Sequence, residues 1–128
     1  MSLSRVHFIL YVHDQAASAA FFKSVLAIDP TLDVPGMTEF ELSEQVTLGL
    51  MPEAGVVRLL GSAHDPARAR GAPRAELYLV VQDPAAHHAR ALAAGAKEVS
   101  PLTSRDWGHD AAYSLDLDGH VLAFARER

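Results

Sequence analysis

The chain contains no cysteine at all, which removes disulfide frameworks, thiolate metal sites and cysteine nucleophiles from consideration at once. It also lacks any apolar run long enough to cross a bilayer. The N-terminal stretch MSLSRVHFILYVHD is too short and too polar for a signal peptide or a membrane span, so a soluble, cytoplasmic protein is expected. Aromatic residues are scarce, with a single tryptophan, so Trp107 stands out wherever it falls. Basic residues are in the minority: 11 against 16 acidic ones leave a net charge of -5, which disfavours a phosphate backbone and mildly favours neutral or cationic small ligands. No glycine-rich phosphate loop, supported Ser-His-Asp arrangement or basic-aromatic surface is visible, so nucleic acid is not an expected partner.

What remains suits one ordinary domain, because 128 residues at 49% hydrophobic content can bury a core without metal or crosslinks. Residues 6–12, VHFILYV, have the texture of a strand buried on both faces. Asp14 is placed to cap a helix carrying Ala17, Phe21 and Val25 with Phe22 and Leu26 beside them, and Asp29-Pro30 is expected to stop it. TEFEL and VTLGLM around Ser43-Glu44-Gln45 read as a hairpin. A second strand, Glu76 to Val81, is followed by Asp83 as cap, Pro84 at the first helical position and Gly95 as the stop. Late in the chain, Asp118-Gly119 marks a tight hairpin turn inside AYSLDLDGHVLAFAR. A shift of 69 positions, which carries His7 onto Glu76, lays VHFILYVHDQAASAA on AELYLVVQDPAAHHA. The order strand, capping Asp, helix and hairpin therefore occurs twice. The reading is a single domain, 1–128, with one module at about 4–53, a Pro/Gly/Ala/Arg-rich linker at about 54–74 and a second module at about 75–127.

A duplicated βαβββ unit with V-x-D before each helix resembles the glyoxalase, bleomycin-resistance and dioxygenase superfamily, also called vicinal oxygen chelate. Phe21-Phe22-Lys23-Ser24-Val25-Leu26-Ala27 is similar to the family's aromatic pair and Leu-Gly helix end, with Ala27 in place of the usual Gly. Arg105-Asp106-Trp107-Gly108 and Asp116-Leu117-Asp118-Gly119-His120 are similar to segments of its bleomycin-resistance-like branch. The resemblance implies an α+β fold whose two modules form a curved, cupped mixed sheet, a ligand on the concave face, often a divalent metal there, and a homodimer.

Carried over residue by residue, the first ligand position is His7, seven residues before Asp14, and its counterpart is Glu76, where the family usually has His. The other two positions fall on Gly49 and Ala123, where metal-dependent members carry a carboxylate. Catalytic divalent metals need about three protein ligands, so no metal cofactor is expected. A divalent metal held by His7 and Glu76, with His109 or His120 arriving from elsewhere, is the alternative.

The period of two places His7, Ile9 and Tyr11 on one strand face and Glu76, Tyr78 and Val80 on the matching face. Trp107, in the Gly-flanked stretch SRDWGHD, offers a stacking wall, and Tyr113, Phe40 and Met51 could complete it. His87-His88 lacks the i,i+4 spacing of a helical chelate. His88 is expected on an apolar stripe with Ala85, Ala89 and Leu92, and His87 in solvent. Arg68, Arg70 and Arg74 read as a solvated basic cluster. The function implied is metal-independent binding of a small organic molecule. The alternatives are a metal-dependent lyase, epimerase, dioxygenase or thiol transferase, and a metal-free acid-base catalyst using His7 and Glu76.

Overall fold

The structure, a computed structural model, describes residues 3–128. It is α+β, with two four-stranded sheets, and the chain divides into two compact units. The first holds the residues up to Lys23 together with Ala27–Ala69, and the second holds Ser24–Leu26 with Arg70–Arg128. The first sheet comprises β1 (Val6–Val12), β2 (Leu32–Val34), β3 (Met37–Ser43) and β4 (Val46–Pro52); the second comprises β5 (Glu76–Val80), β6 (Lys97–Ser104), β7 (His109–Leu115) and β8 (Val121–Glu127). Their orders, β1-β4-β3-β2 and β5-β8-β7-β6, are the same pattern twice. In each, the first strand runs parallel to the last and the remaining pairs are antiparallel. The internal repeat in the sequence is thus a repeat of topology.

Helices α1 (Gln15–Leu26) and α3 (Pro84–Ala93) start as their caps dictate. The Asp14 carboxylate accepts the Ala17 N–H at 3.0 Å, and Asp83 accepts that of Ala86 at 3.1 Å. Their ends differ. Gly95 follows α3 with φ +115°, whereas α1 ends one turn earlier than the Asp29-Pro30 stop suggests, on Ala27 in the left-handed region at φ +57°. The segment read as a linker contains α2 (Glu53–Leu60) and two short 3-10 turns, Ser62–His64 and Pro66–Ala69. Asp118-Gly119 does turn the β7–β8 hairpin, but only Gly119 takes a positive φ, +85°.

In the first unit Leu10, Val12, Phe21, Phe22, Phe40, Leu48, Leu50 and Val56 are buried. Phe40 is level with Leu48 in the strand register, and both are fully buried, so its ring is part of this core. Burial of such a side chain contributes about 1.5–3 kcal/mol. β1 is not buried on both faces as its composition suggests: His7, Phe8 and Ile9 are exposed because β1 lies at the edge of its sheet. In the second unit α3 packs on β6, β7 and β8, and Leu77, Leu122, Phe124 and Ala112 are buried. The buried helix residues are Pro84, His88 and Ala91, not the Ala85–Ala89 stripe, and the part-exposed His87 also rests its ring on Phe124 at 5.4 Å. His88 Nε2 meets Glu98 at 2.9 Å.

Candidate functional site

Each sheet has a second face, opposite the one that carries most of its large core side chains, and the sequence-predicted residues fall mainly there. On the first sheet the register sets His7 level with Thr47, Ile9 level with Gly49, and Tyr11 level with Met51. Glu39 on β3 flanks Gly49 from the other side. His7 Nδ1 lies 3.5 Å from a Glu39 oxygen, so His7 has a carboxylate partner 32 residues away that no local pattern announces. Gly49 is not open space. A Cβ built there would stand 2.5 Å from Ile9 Cδ1 and 3.1 Å from Met37 Sδ, the ends of two flexible side chains that a larger residue would displace.

The second sheet treats the equivalent position differently. Ala123 is fully buried and sits between Tyr78 on β5 and Tyr113 on β7, its level partners across the two strand pairs. Ala125 and Ala111, the next pair along the same face, are also fully buried. Three alanines in a row leave the space above this face to longer neighbours. Tyr78 Oη reaches His109 Nδ1 at 2.6 Å, and Trp107, at the β6–β7 turn, donates its indole N–H to the same oxygen at 2.9 Å. The half-exposed Trp107 stands on a turn made possible by Gly108, at φ +90°.

The Arg105 guanidinium lies 5.1 Å over the Tyr113 ring, and it donates to the Ala111 and Pro101 carbonyls and to Ser100 Oγ. These bonds fill the irregular stretch of the β6–β7 ladder between Ser100 and Thr103. Burial, helped by the negative charge of Glu76 and by Tyr78, pushes the Tyr113 phenol above the usual tyrosine range, against the pull of Arg105. Asp110, beside His109, is held below the usual carboxylate range first by the Ser104 hydroxyl and then by Arg128 and Arg126.

A third cluster sits at the β7–β8 turn. Asp116, Asp118 and His120 offer ligand atoms within 4.8 Å of one another, the kind of group that could hold a cation. Its hydrogen bonds give it another purpose. Asp116 Oδ1 accepts the N–H groups of Asp118 and His120, and Oδ2 accepts from His120 Nδ1 at 2.9 Å. Arg74 donates to the Asp118 carbonyl at 2.8 Å and stands 3.4 Å from His120 Nε2. A guanidinium in that place opposes a second cation. Arg74 is therefore part of the turn's support and not, as its basic neighbours suggest, a solvated charge. Elsewhere, a cleft of about 810 Å³ opens between α1 and β2, lined by Gln15, Lys23, Asp33 and Val34 among others. It shares no residue with either open face, and Gln15 there ties the β2–β3 turn through Gly36 N–H and Thr38.

A sequence model of the Glyoxalase/Bleomycin resistance protein/Dioxygenase superfamily matches residues 4–124, and the chain belongs to that superfamily. Solved structures share the fold. A glyoxalase-related enzyme from Fulvimarina pelagi is 22% identical with a TM-score of 0.83, the match covering 98% of this chain and 89% of that one. A family enzyme from Burkholderia phytofirmans PsJN is 15% identical with a TM-score of 0.81, over 95% and 97% of the two chains. A glyoxalase/bleomycin resistance protein/dioxygenase from Nocardioides is 20% identical with a TM-score of 0.77, over 99% and 84%. No curated protein matches the sequence significantly.

The superfamily's frequent divalent metal can be tested against these residues. Catalytic sites need about three protein ligands in fixed geometry. On the first sheet His7 and Glu39 supply two, and the carboxylate position beside them is Gly49, which has no side chain to offer. On the second, Glu76 is level with Val121, and Ala123 stands between two tyrosines. Neither sheet by itself supplies the three ligands such a site needs.

Proposed function

We propose that the protein binds a small organic molecule beside Tyr78, Trp107 and Tyr113 on its second sheet, without a metal. The observation that carries this reading is the aromatic group there: Tyr78, Trp107 and Tyr113 lie over or beside the alanine floor, where a metal-dependent relative would carry a carboxylate. Flat, amphipathic rings give large contact area at little entropic cost, and Glu76 beside them favours neutral or cationic ligands. Tyr11 and Met51 line the corresponding face of the first sheet. The protein is further proposed to act as a homodimer in the cytoplasm; β1 and β5 end their sheets, and Phe8 and Val80 on them are exposed. Light scattering should give twice the chain mass.

The test of binding uses the single tryptophan. Planar compounds, cationic ones included, should change its emission saturably and with no response to chelators. Calorimetry on a folded Trp107→Ala variant should show binding weakened by about tenfold, as loss of a stacking wall implies. Binding abolished by chelators, with about one transition metal per chain on elemental analysis, would overturn the reading in favour of a metal-dependent enzyme.

A further inference from the structure

Tyr78, His109 and Trp107 form a hydrogen-bonded set whose direction follows from chemistry. Indole N–H can only donate, so Trp107 takes one lone pair of Tyr78 Oη at 2.9 Å. Between Tyr78 and a neutral His109 the phenol is the stronger acid and the imidazole nitrogen the stronger base. The phenol therefore donates to Nδ1 across 2.6 Å, and Nε2 carries the ring proton. In that state the hydroxyl proton is spent, and the oxygen offers a ligand only its remaining lone pair.

Protonation of His109 reverses the bond. Nδ1–H must then donate to Tyr78 Oη, whose two lone pairs are filled by His109 and Trp107. The phenolic O–H turns outward as a free donor. We propose that this set is a protonation-controlled ligand contact on the second sheet: it takes ligands that present a hydrogen-bond donor when His109 is neutral, and ligands that present an acceptor, such as a carbonyl oxygen, when His109 is charged. The proposal rests on the binding reading above and adds the ligand chemistry and its control.

The charges around His109 belong to several elements. Tyr78 faces it from β5, and Glu127 is its cross-strand partner on β8. Asp110 follows it on β7 and is ion-paired to Arg126 and Arg128. The backbone of Arg105 and the side chain of Arg128 both donate to the His109 carbonyl. The paired Asp110 changes little across the histidine range, because its hydrogen bonds hold it ionised well below that range. The switch is thus assigned to the imidazole.

Two measurements test it on the intact chain. Without ligand, Trp107 emission should differ between about pH 5 and about pH 8.5, and His109→Gln should abolish the difference. Calorimetry then follows two probes of opposite chemistry, acetophenone as acceptor and indole as donor. One neutral hydrogen bond gained or lost predicts that acetophenone tightens by about three- to tenfold at the lower pH and that indole weakens by a similar factor. Both dependences should vanish in His109→Gln and in Tyr78→Phe, whose folding is checked by circular dichroism.

An emission change that persists in His109→Gln, or two probes that bind with no opposed pH dependence, would overturn the switch while leaving ligand binding intact. Failure of both probes to bind at either pH would overturn the binding reading and the switch with it.

Discussion

Replacing Ala27 by glycine should make the protein more stable. Ala27 closes α1 with its N–H on the Lys23 carbonyl at 3.0 Å, and it does so at φ +57°, ψ +37°. A residue with a Cβ in this region costs roughly 1–2 kcal/mol relative to glycine. Glycine gives back about 0.4–1 kcal/mol through the greater freedom of its unfolded chain. The methyl group is exposed, so deleting it forfeits almost no burial. The net expectation is a gain of about 0.5–1 kcal/mol, or roughly 2–4 °C in Tm for a chain of this size. Urea unfolding followed by circular dichroism should show a higher midpoint at unchanged slope. The companion is the equivalent point after α3. Gly95 sits at φ +115°, and an added Cβ would stand 3.2 Å from Leu117 Cδ2. Gly95→Ala should therefore cost about 1–3 kcal/mol. A lowered midpoint for Ala27→Gly, or a neutral Gly95→Ala, would refute the assignment of strain to backbone conformation.

Other expectations follow from the packing and the charges. Gly49→Ala should cost no more than about 1 kcal/mol, because only the ends of Ile9 and Met37 must turn aside, and that loss should disappear in an Ile9→Ala background, a coupling measurable by a double-mutant cycle. Asp116→Ala should cost about 3–5 kcal/mol in chemical denaturation, since it strands His120 and two backbone N–H groups in a buried turn. The raised Tyr113 pKa means the folded state holds that proton longer than the unfolded one. Its contribution to stability is full below the unfolded value of 10.0 and is lost as pH rises through the folded value, so the alkaline limb of unfolding should begin near that pH. Glu76→Gln should lower the Tyr113 titration seen by ultraviolet difference spectroscopy; no movement would mean Glu76 is too well screened to matter.

Features that depend on a few neighbouring residues were legible in the sequence. Asp14 and Asp83 act on the amide three residues ahead, and Asp118-Gly119 turns its own hairpin, so both helices and the late turn could be read directly. β2 escaped because it is three exposed residues with Asp33 in the middle. α2 escaped because Glu53-Ala54-Gly55-Val56-Val57 mixes a helix breaker with β-branched residues. Strand parity was the harder problem. The alternation in TEFEL already sets Phe40 against its glutamate neighbours, but only pairing with β4 shows that His7, Gly49 and Glu39 share the other face. The partners that give the site its chemistry are also remote: Glu39 reaches His7 across 32 positions and His109 reaches Tyr78 across 31, both through strand register.

The occupation of Gly49's space by Ile9 also bears on how readily this site could change during divergence. An acidic side chain introduced at position 49 would meet only the ends of Ile9 and Met37, and Ile9 is exposed enough to turn aside. The space is held by movable side chains and not by backbone. A carboxylate there is one substitution and one side-chain rotation away, so the present chemistry of this position is open to change in a single step.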